Sequence, residues 1–232
     1  MLINKLPPMK QRTISKTIEL SGVGLHTGNK VTMSIRQAPV NHGIVFCRKD
    51  LSDTPQVQAL VSQVESTNRG TTIKSGDARV HTVEHILSAL QGLGIDNVLI
   101  DIEGEEVPIM DGSASAFIEE IRSAGIEEQE LDREYFEIYE PISIRDEESG
   151  SEITALPSDN YELTCMIDFD SPILGPQYAE MDHMERYGED IAPCRTFVFL
   201  HELKKLADQE LIQGGDIDNA VVIVDELLAQ SE

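Results

Sequence analysis

Two histidines and a glutamate lie within five residues, at His81, Glu84 and His85. Imidazole nitrogens are common zinc ligands, and a carboxylate beside a zinc-bound water can act as a general base. The spacing His-x-x-Glu-His is that of the inverted zinc peptidases, in which both histidines bind the metal. A second hydrolytic chemistry would use Glu84 and His85 alone. An isolated histidine of this kind is more often a solvated or hydrogen-bonded structural residue.

The element that must position these side chains is a helix predicted from about residue 82 to residue 91. Apolar residues recur there at helical spacing, at Val83, Ile86, Leu87 and Leu90. Thr82 is a candidate N-cap, and Glu84 in the first turn suits the positive end of the helix dipole. Gly92 offers a stop. On this interpretation, His81 and His85 lie one turn apart and can share a face.

The overall composition narrows the class of protein. The chain has 232 residues, with Lys+Arg 18 against Asp+Glu 42 and a formal net charge of −24. Such a charge disfavours nucleic acid and anionic lipid as partners. No apolar run is long enough to span a membrane, and no secretory segment is evident, so we predict a cytoplasmic location. The three cysteines lie in no paired spacing, as expected for reduced thiols.

The order of predicted elements indicates an α+β fold built from two similar sandwich domains, each a mixed sheet layered with helices. The boundary is predicted in the charge-dense stretch 126–135, which gives domains 1–127 and 128–232. The second domain repeats the strand run of the first, followed by a helix at about 197–207 with Thr196 as its N-cap. The pattern predicts that this domain is incomplete, with its C-terminal helices missing. Either the chain is truncated or another chain covers the exposed sheet face.

Seven stretches, taken together and in order, resemble the zinc-dependent UDP-3-O-acyl-N-acetylglucosamine deacetylases of lipid A biosynthesis, the LpxC family. The form is similar to that of Bacteroidetes-like bacteria, where the deacetylase can be fused to a C-terminal dehydratase. The matching stretches are Ser-Gly-Val-Gly-Leu-His-Thr-Gly at 21–28, Ala-Pro-Val-Asn-His-Gly-Ile-Val-Phe at 38–46, Thr-Val-Glu-His at 82–85, Gly-Leu-Gly-Ile-Asp-Asn at 92–97, Pro-Ile-Met-Asp-Gly-Ser-Ala-Ser at 108–115, Arg-Thr-Phe at 195–197 and Gly-Gly-Asp at 214–216.

The resemblance assigns roles to residues of the motif. It implies that Glu84 is the general base, that His85 is a Zn²⁺ ligand and that His81 is not a ligand. It implies that the Thr196 hydroxyl stabilises the tetrahedral oxyanion. Asp111 matches a residue near the active site, for which we expect a supporting role.

The resemblance also implies a binding site for UDP-3-O-acyl-N-acetylglucosamine. Phe197 matches an aromatic residue that contacts the substrate. Gly214 and Gly215, with the predicted strand 220–224, match the edge of a passage for the acyl chain. A narrow apolar passage suits an alkyl chain, at about 0.8 kcal/mol per buried CH₂.

One family motif is absent from this sequence. The His-Lys-x-x-Asp stretch, which would supply a second His ligand, an Asp ligand and a diphosphate-binding Lys, does not occur. We therefore expect a chain truncated at its C-terminus, with a missing or fused segment. Three functions follow as hypotheses: zinc-dependent release of acetate from the UDP-sugar, an inactive fragment or relative that acts as a binding module, and, less favoured, an inverted-zincin peptidase.

Overall fold

The computed structural model describes residues 9–224, and its mixture of sheets and few helices confirms the predicted α+β class. No helix within that range combines the length and apolarity needed to cross a bilayer. The helices are α1 (Glu84–Gly92), α2 (Ser115–Ala124), α3 (Tyr187–Asp190) and α4 (Leu200–Asp208). The strands of residues 9–132 are β1 (Lys10–Ile14), β2 (Ile18–Val23), β3 (Lys30–Gln37), β4 (Ile44–Arg48), β5 (Gln56–Gln58), β6 (Val64–Ser66), β7 (Thr72–Ser75), β8 (Ala78–Val80), β9 (Val98–Glu103) and β10 (Ile126–Asp132).

A five-stranded sheet in the order β2-β3-β9-β4-β5 forms the centre of the first half of the chain. Its strands are antiparallel except for the parallel pair β4 and β9. Ile35 pairs with Ile100, which pairs with Phe46, so these three side chains form one row across three strands. All three are fully buried, in one cluster with Ile86 of α1 and Phe117 of α2. The two helices therefore belong to the same core as the sheet.

The first two strands share one stretch of alternating sequence. Residues 12–20 alternate apolar and polar side chains as a single strand would. The structure has two strands there, because β1 ends at Ile14 and β2 begins at Ile18. Strand β1 pairs with β10. Gly125 makes this pairing possible, because its φ of 81° turns the chain at the end of α2 and its carbonyl accepts the N–H of Ser15 at 2.8 Å. Strand β10 crosses the predicted boundary between residues 127 and 128. The division into two domains stays a prediction.

The strands after residue 132 form only two-stranded pairs within the described range. They are β11 (Ile142–Arg145), β12 (Glu152–Ala155), β13 (Leu163–Ile167), β14 (Gln177–Met181), β15 (Phe197–Phe199) and β16 (Val221–Ile223). β11 and β12 form one hairpin, β13 and β14 form another, and β15 and β16 are parallel. Apolar side chains on the hairpins are exposed, among them Ile144, Ile153 and Met166.

The predicted helix at 197–207 begins later than expected. Residues Phe197–Phe199 are strand β15, and α4 starts at Leu200 after Phe199. The prediction of Thr196 as an N-cap was therefore wrong. The physical reason is long-range pairing: the N–H of Thr196 donates to the Gly112 carbonyl at 2.8 Å, and its carbonyl accepts the N–H of Val221 at 2.9 Å. These bonds hold Thr196 at the start of a strand.

Candidate active site

The first turn of α1 carries Glu84 and His85, but the helix begins two residues later than predicted. Thr82 lies outside it with a left-handed φ of 57°. Its hydroxyl donates to Glu106 Oε1 at 2.9 Å and makes no capping bond to the helix. The prediction of Thr82 as an N-cap was wrong. Glu84 does lie in the first turn, where its charge suits the helix dipole.

His81 lies before the helix, in a β-bridge with Glu106. Its Nδ1 is 2.8 Å from the Thr72 hydroxyl, and its backbone N–H donates to the Glu105 carbonyl at 2.7 Å. The left-handed turn at Thr82 separates it from α1. The expectation that His81 and His85 share a helix face was therefore wrong.

The Glu84 carboxylate lies against the loop that precedes β7. Its Oε2 accepts the backbone N–H of Thr71 at 2.9 Å. A Cβ atom added to Gly70 would lie 3.4 Å from Glu84 Oε1 and 3.4 Å from His26 Nε2. Gly70 thus separates the carboxylate from an imidazole of the glycine-rich turn between β2 and β3.

Sequence reasoning did not select His26 as a site residue. Its Nε2 is 3.1 Å from the Arg69 carbonyl, and its Nδ1 is buried with no hydrogen-bond partner within residues 9–224. It lies in the glycine-rich stretch at residues 21–28, but a single histidine there has no spacing that indicates chemistry. Only the folded chain brings it beside Gly70 and Glu84.

His85 is buried enough to favour its neutral form. Burial lowers the pKa of His85 below its ordinary value of 6.5, and the negative charges of Glu84 and Asp111 act in the opposite direction. A neutral imidazole is the form that ligates metals. The carboxylate of Asp111 also accepts the N–H and hydroxyl of Ser113, at 3.0 and 2.8 Å. The charge of Asp111 thus acts on His85 from a loop that the hydrogen bonds of Asp111 stabilise.

Thr196 reaches the same loop from the second half of the chain. Its N–H donates to Gly112, next to Asp111, and the guanidinium of Arg195 donates to the Asp111 carbonyl at 2.7 Å. The structure thus brings the backbone of Thr196 to the loop whose carboxylate acts on His85. Thr196 itself is half-buried.

Phe197 belongs to an aromatic cluster with the half-buried Phe169 and the buried Phe199. The Phe197 ring makes edge-to-face contacts with both, at centroid distances of 5.3 and 5.9 Å. Its side chain is 41% exposed. The exposed Phe197 ring thus directly follows Thr196 in the chain.

Gly214 packs on the glycine-rich turn. Its N–H donates to the Leu25 carbonyl at 3.0 Å, and an added Cβ would lie closer than 3.0 Å to the Gly24 carbonyl oxygen. Gly215 has a contact of the same kind with Ile212, at 3.0 Å. Close backbone approach explains the glycine at 214. A substrate-binding role for Gly214 and Gly215 stays a prediction.

The described residues do not complete a metal site. Between residues 9 and 224, no group of three or more His, Cys, Asp or Glu side chains is arranged to hold a metal ion. Catalytic zinc takes three protein ligands and one open position. The assignment of His85 as a Zn²⁺ ligand stays a prediction.

The sequence of the protein matches one known family over most of its length. The model of the family described as LpxC, UDP-3-O-acyl N-acetylglycosamine deacetylase, matches residues 11–232. This chain belongs to the LpxC family. The resemblance that the motifs indicated is confirmed.

Curated members of the LpxC family show the same relationship. The chain is 45% identical over 223 residues to the bifunctional enzyme LpxC/FabZ of Chlorobaculum tepidum, and 41% identical over 222 residues to that of Bacteroides thetaiotaomicron. Each match covers 96% of this chain and 48% of the relative. A UDP-3-O-acyl-N-acetylglucosamine deacetylase of Legionella pneumophila is 44% identical over 220 residues, covering 94% of this chain and 72% of the relative. The chain thus spans about half the length of the bifunctional LpxC relatives that it matches.

Proposed function

We propose that the natural protein hydrolyses the acetamide of UDP-3-O-acyl-N-acetylglucosamine and releases acetate, as a step of lipid A biosynthesis. The observation that carries this proposal is the placement of Glu84 and His85 together on the first turn of α1, within a chain that belongs to the LpxC family. The names of the curated relatives supply the substrate and the reaction class. The cytoplasmic location stays a prediction.

Glu84 is the general base in this proposal. It takes a proton from the water that attacks the acetamide carbonyl, and a positioned base of this kind contributes about 10²- to 10⁴-fold. The C–N bond then breaks, the nitrogen receives a proton, and acetate and the free amine leave. The bond from Thr71 to Oε2 orients the carboxylate, while Oε1 lies on the side of Gly70.

Thr196 stabilises the oxyanion that forms when water adds to the carbonyl. A hydroxyl donor aimed at developing charge is worth about 3–4 kcal/mol in comparable sites. The support for this role is the bond that ties the Thr196 backbone to Gly112, beside the carboxylate that acts on His85.

His85 is the one residue to which this proposal assigns the role of zinc ligand. A zinc ion, when bound, lowers the pKa of its water. The side chains between residues 9 and 224 do not supply a full ligand set. The roles of Glu84 and Thr196 follow from the family resemblance, and their own contacts support them without any geometry of the metal.

The acyl chain of the substrate binds beside Phe197 in this proposal. The exposed ring of Phe197, supported by Phe169 and Phe199, suits an alkyl chain. Gly214 and Gly215 form part of the same passage. Burial of the acyl chain contributes about 0.8 kcal/mol of binding free energy per CH₂.

Two other functions remain as alternatives. The first is a binding module, which predicts that the UDP-sugar stabilises the chain without turnover. A peptidase that uses both histidines is disfavoured, because His81 lies outside α1 and contacts Thr72.

The decisive assay incubates the natural, zinc-loaded protein with UDP-3-O-acyl-N-acetylglucosamine and measures acetate and the free amine. Equal amounts of the two products are expected. Ligand-dependent stabilisation with no acetate would favour the binding module, and cleavage of an unstructured peptide without acetate release would favour the peptidase.

A further inference from the structure

Glu106 is a buried carboxylate that the proposed mechanism does not use. It is 2% exposed and lies between the glycine-rich turn and the start of α1. Each of its oxygens accepts two hydrogen bonds. Oε1 receives the His26 N–H and the Thr82 hydroxyl, each at 2.9 Å, and Oε2 receives the Thr27 N–H and hydroxyl at 2.9 and 2.8 Å.

The four hydrogen bonds strongly stabilise the Glu106 carboxylate in this position. A buried charge without partners is costly, whereas hydrogen bonds to a charged acceptor are stronger than those to a neutral one. All four donors come from two short segments, at residues 26–27 and at residue 82. Glu106 therefore joins these two segments rigidly.

The bond to Thr82 determines where α1 begins. A β-branched residue in the left-handed region costs on the order of 1–3 kcal/mol and needs support from its surroundings. Thr82 has φ 57° and is buried, and Glu106 accepts its hydroxyl hydrogen. Two residues later the helix starts with Glu84, whose carboxylate accepts the N–H of Thr71. A change at Thr82 would shift the first turn of α1.

The bonds from residues 26–27 fix the position of the glycine-rich turn, which lies across Gly70 from Glu84. Gly24 has no room for a Cβ atom, which would lie closer than 3.0 Å to Glu106 Oε2. The same turn carries His26, which faces Glu84 across Gly70, and it receives Gly214 through the Leu25 carbonyl. The Glu106 carboxylate thus controls the distance between the glycine-rich turn and the start of α1, which lie on either side of Gly70.

We propose that Glu106 is a positioning residue for the LpxC reaction: it holds Thr82 in a left-handed turn and so sets Glu84 and His85 against the glycine-rich turn. The inference rests on the proposed function for its effect on catalysis. Its effect on the geometry of Glu84 can be tested without metal or substrate.

The first test measures amide hydrogen exchange in the metal-free full chain. Glu106→Gln keeps the size of the side chain but replaces one acceptor oxygen by an NH₂ group that faces N–H and O–H donors. Exchange of the Thr71 amide, which bonds Glu84, is expected to accelerate at least about tenfold. Glu105→Gln removes the same charge from an exposed neighbour and is expected to leave exchange unchanged. Unchanged exchange at Thr71 in a folded Glu106→Gln variant would overturn the proposal.

The second test compares Thr82→Ser with Thr82→Val in the natural, zinc-loaded protein. Serine keeps the hydroxyl, whereas valine keeps the branched shape and removes the donor to Glu106. The valine variant is expected to lose about 10- to 100-fold in kcat with KM within about threefold, since displacement of a catalytic group by about 1 Å costs about that much. The serine variant is expected to keep kcat within about threefold. Equal kcat values in two folded variants would overturn the proposal.

The two tests separate this inference from the proposed function. If the natural protein releases no acetate, the proposed function fails, and exchange at Thr71 still decides whether Glu106 positions Glu84. If Glu106→Gln does not fold, exchange is measured on the Thr82 pair, where faster exchange in valine than in serine supports the proposal and equal exchange overturns it.

Discussion

The carboxylate of Glu84 accepts the backbone N–H of Thr71, with 2.9 Å between nitrogen and oxygen. This bond connects the first turn of α1 to a loop whose next residue begins β7. A carboxylate that is held at one oxygen keeps a defined orientation, which a general base requires. The position of Glu84 therefore depends on a loop as well as on its own helix.

Removal of each histidine in turn distinguishes deacetylase from peptidase. We expect His85→Ala to abolish stoichiometric zinc in the natural protein, because it deletes a ligand. His81→Ala should retain zinc, since His81 contacts Thr72 outside α1. Metal content after dialysis against a weak chelator measures both. Loss of zinc from both variants would support the peptidase.

Gly92 and Tyr187 form a contact that a stability cycle can test. A Cβ atom at Gly92 would lie closer than 3.0 Å to the Tyr187 ring, which is 4% exposed and bonds Ser88 through its hydroxyl. Gly92→Ala should therefore lower the free energy of unfolding by about 1–3 kcal/mol. In a Tyr187→Ala background the same change should cost less or even stabilise, because alanine is the better helix former. Equal costs in both backgrounds, measured by urea unfolding, would contradict the contact.

The adjacent glycines 214 and 215 should differ in their tolerance of a methyl group. In Gly214→Ala the new Cβ meets the Gly24 carbonyl and Val23, so we expect a loss of about 1–3 kcal/mol in unfolding free energy. Gly215→Ala meets the Ile212 carbonyl at 3.0 Å and should cost less. Thermal unfolding of the two variants provides the comparison. A larger loss at Gly215 would be inconsistent with the packing of Gly214 on the glycine-rich turn.

The ion pair between Arg69 and Glu202 predicts a pH dependence. The hydrogen bond from Arg69 lowers the pKa of Glu202 below its ordinary value of 4.5. A lowered carboxyl pKa means that the pair stabilises the fold above pH 4.5 and that this contribution is lost as the pH falls through the folded-state pKa. Arg69→Leu should raise the pKa of Glu202 towards 4.5 in an NMR titration. Arg145→Leu, at an exposed pair with Glu152, is the control and should not change it.

Local sequence signals predicted much of the fold. The apolar stripe located α1. The pairing of β1 with β10 was not predicted, because the partners are more than a hundred residues apart and no local pattern records them. The wrong N-cap prediction at Thr82 has the same cause, because its hydroxyl bonds Glu106, which is distant in sequence.

The sequence located Glu84 and His85 at the start of a helix, but it did not reveal contacts of the candidate site between residues far apart in the chain. Glu84 and His85 form a motif with helical spacing around it. Thr196 was misplaced as a helix cap, because its bonds to Gly112 and Val221 are formed only in the folded chain. His26 has no motif partner nearby and became visible only through its position across Gly70.

The role of Glu84 as general base is tested most directly by the rate of acetate release from UDP-3-O-acyl-N-acetylglucosamine in the natural protein and its Glu84→Gln variant. Glutamine keeps the acceptor for Thr71 but cannot take a proton, so we predict a loss of about 10²- to 10⁴-fold in kcat with zinc content and fold retained. A Glu84→Gln variant that binds zinc, folds and releases acetate at the unmodified rate would contradict the account.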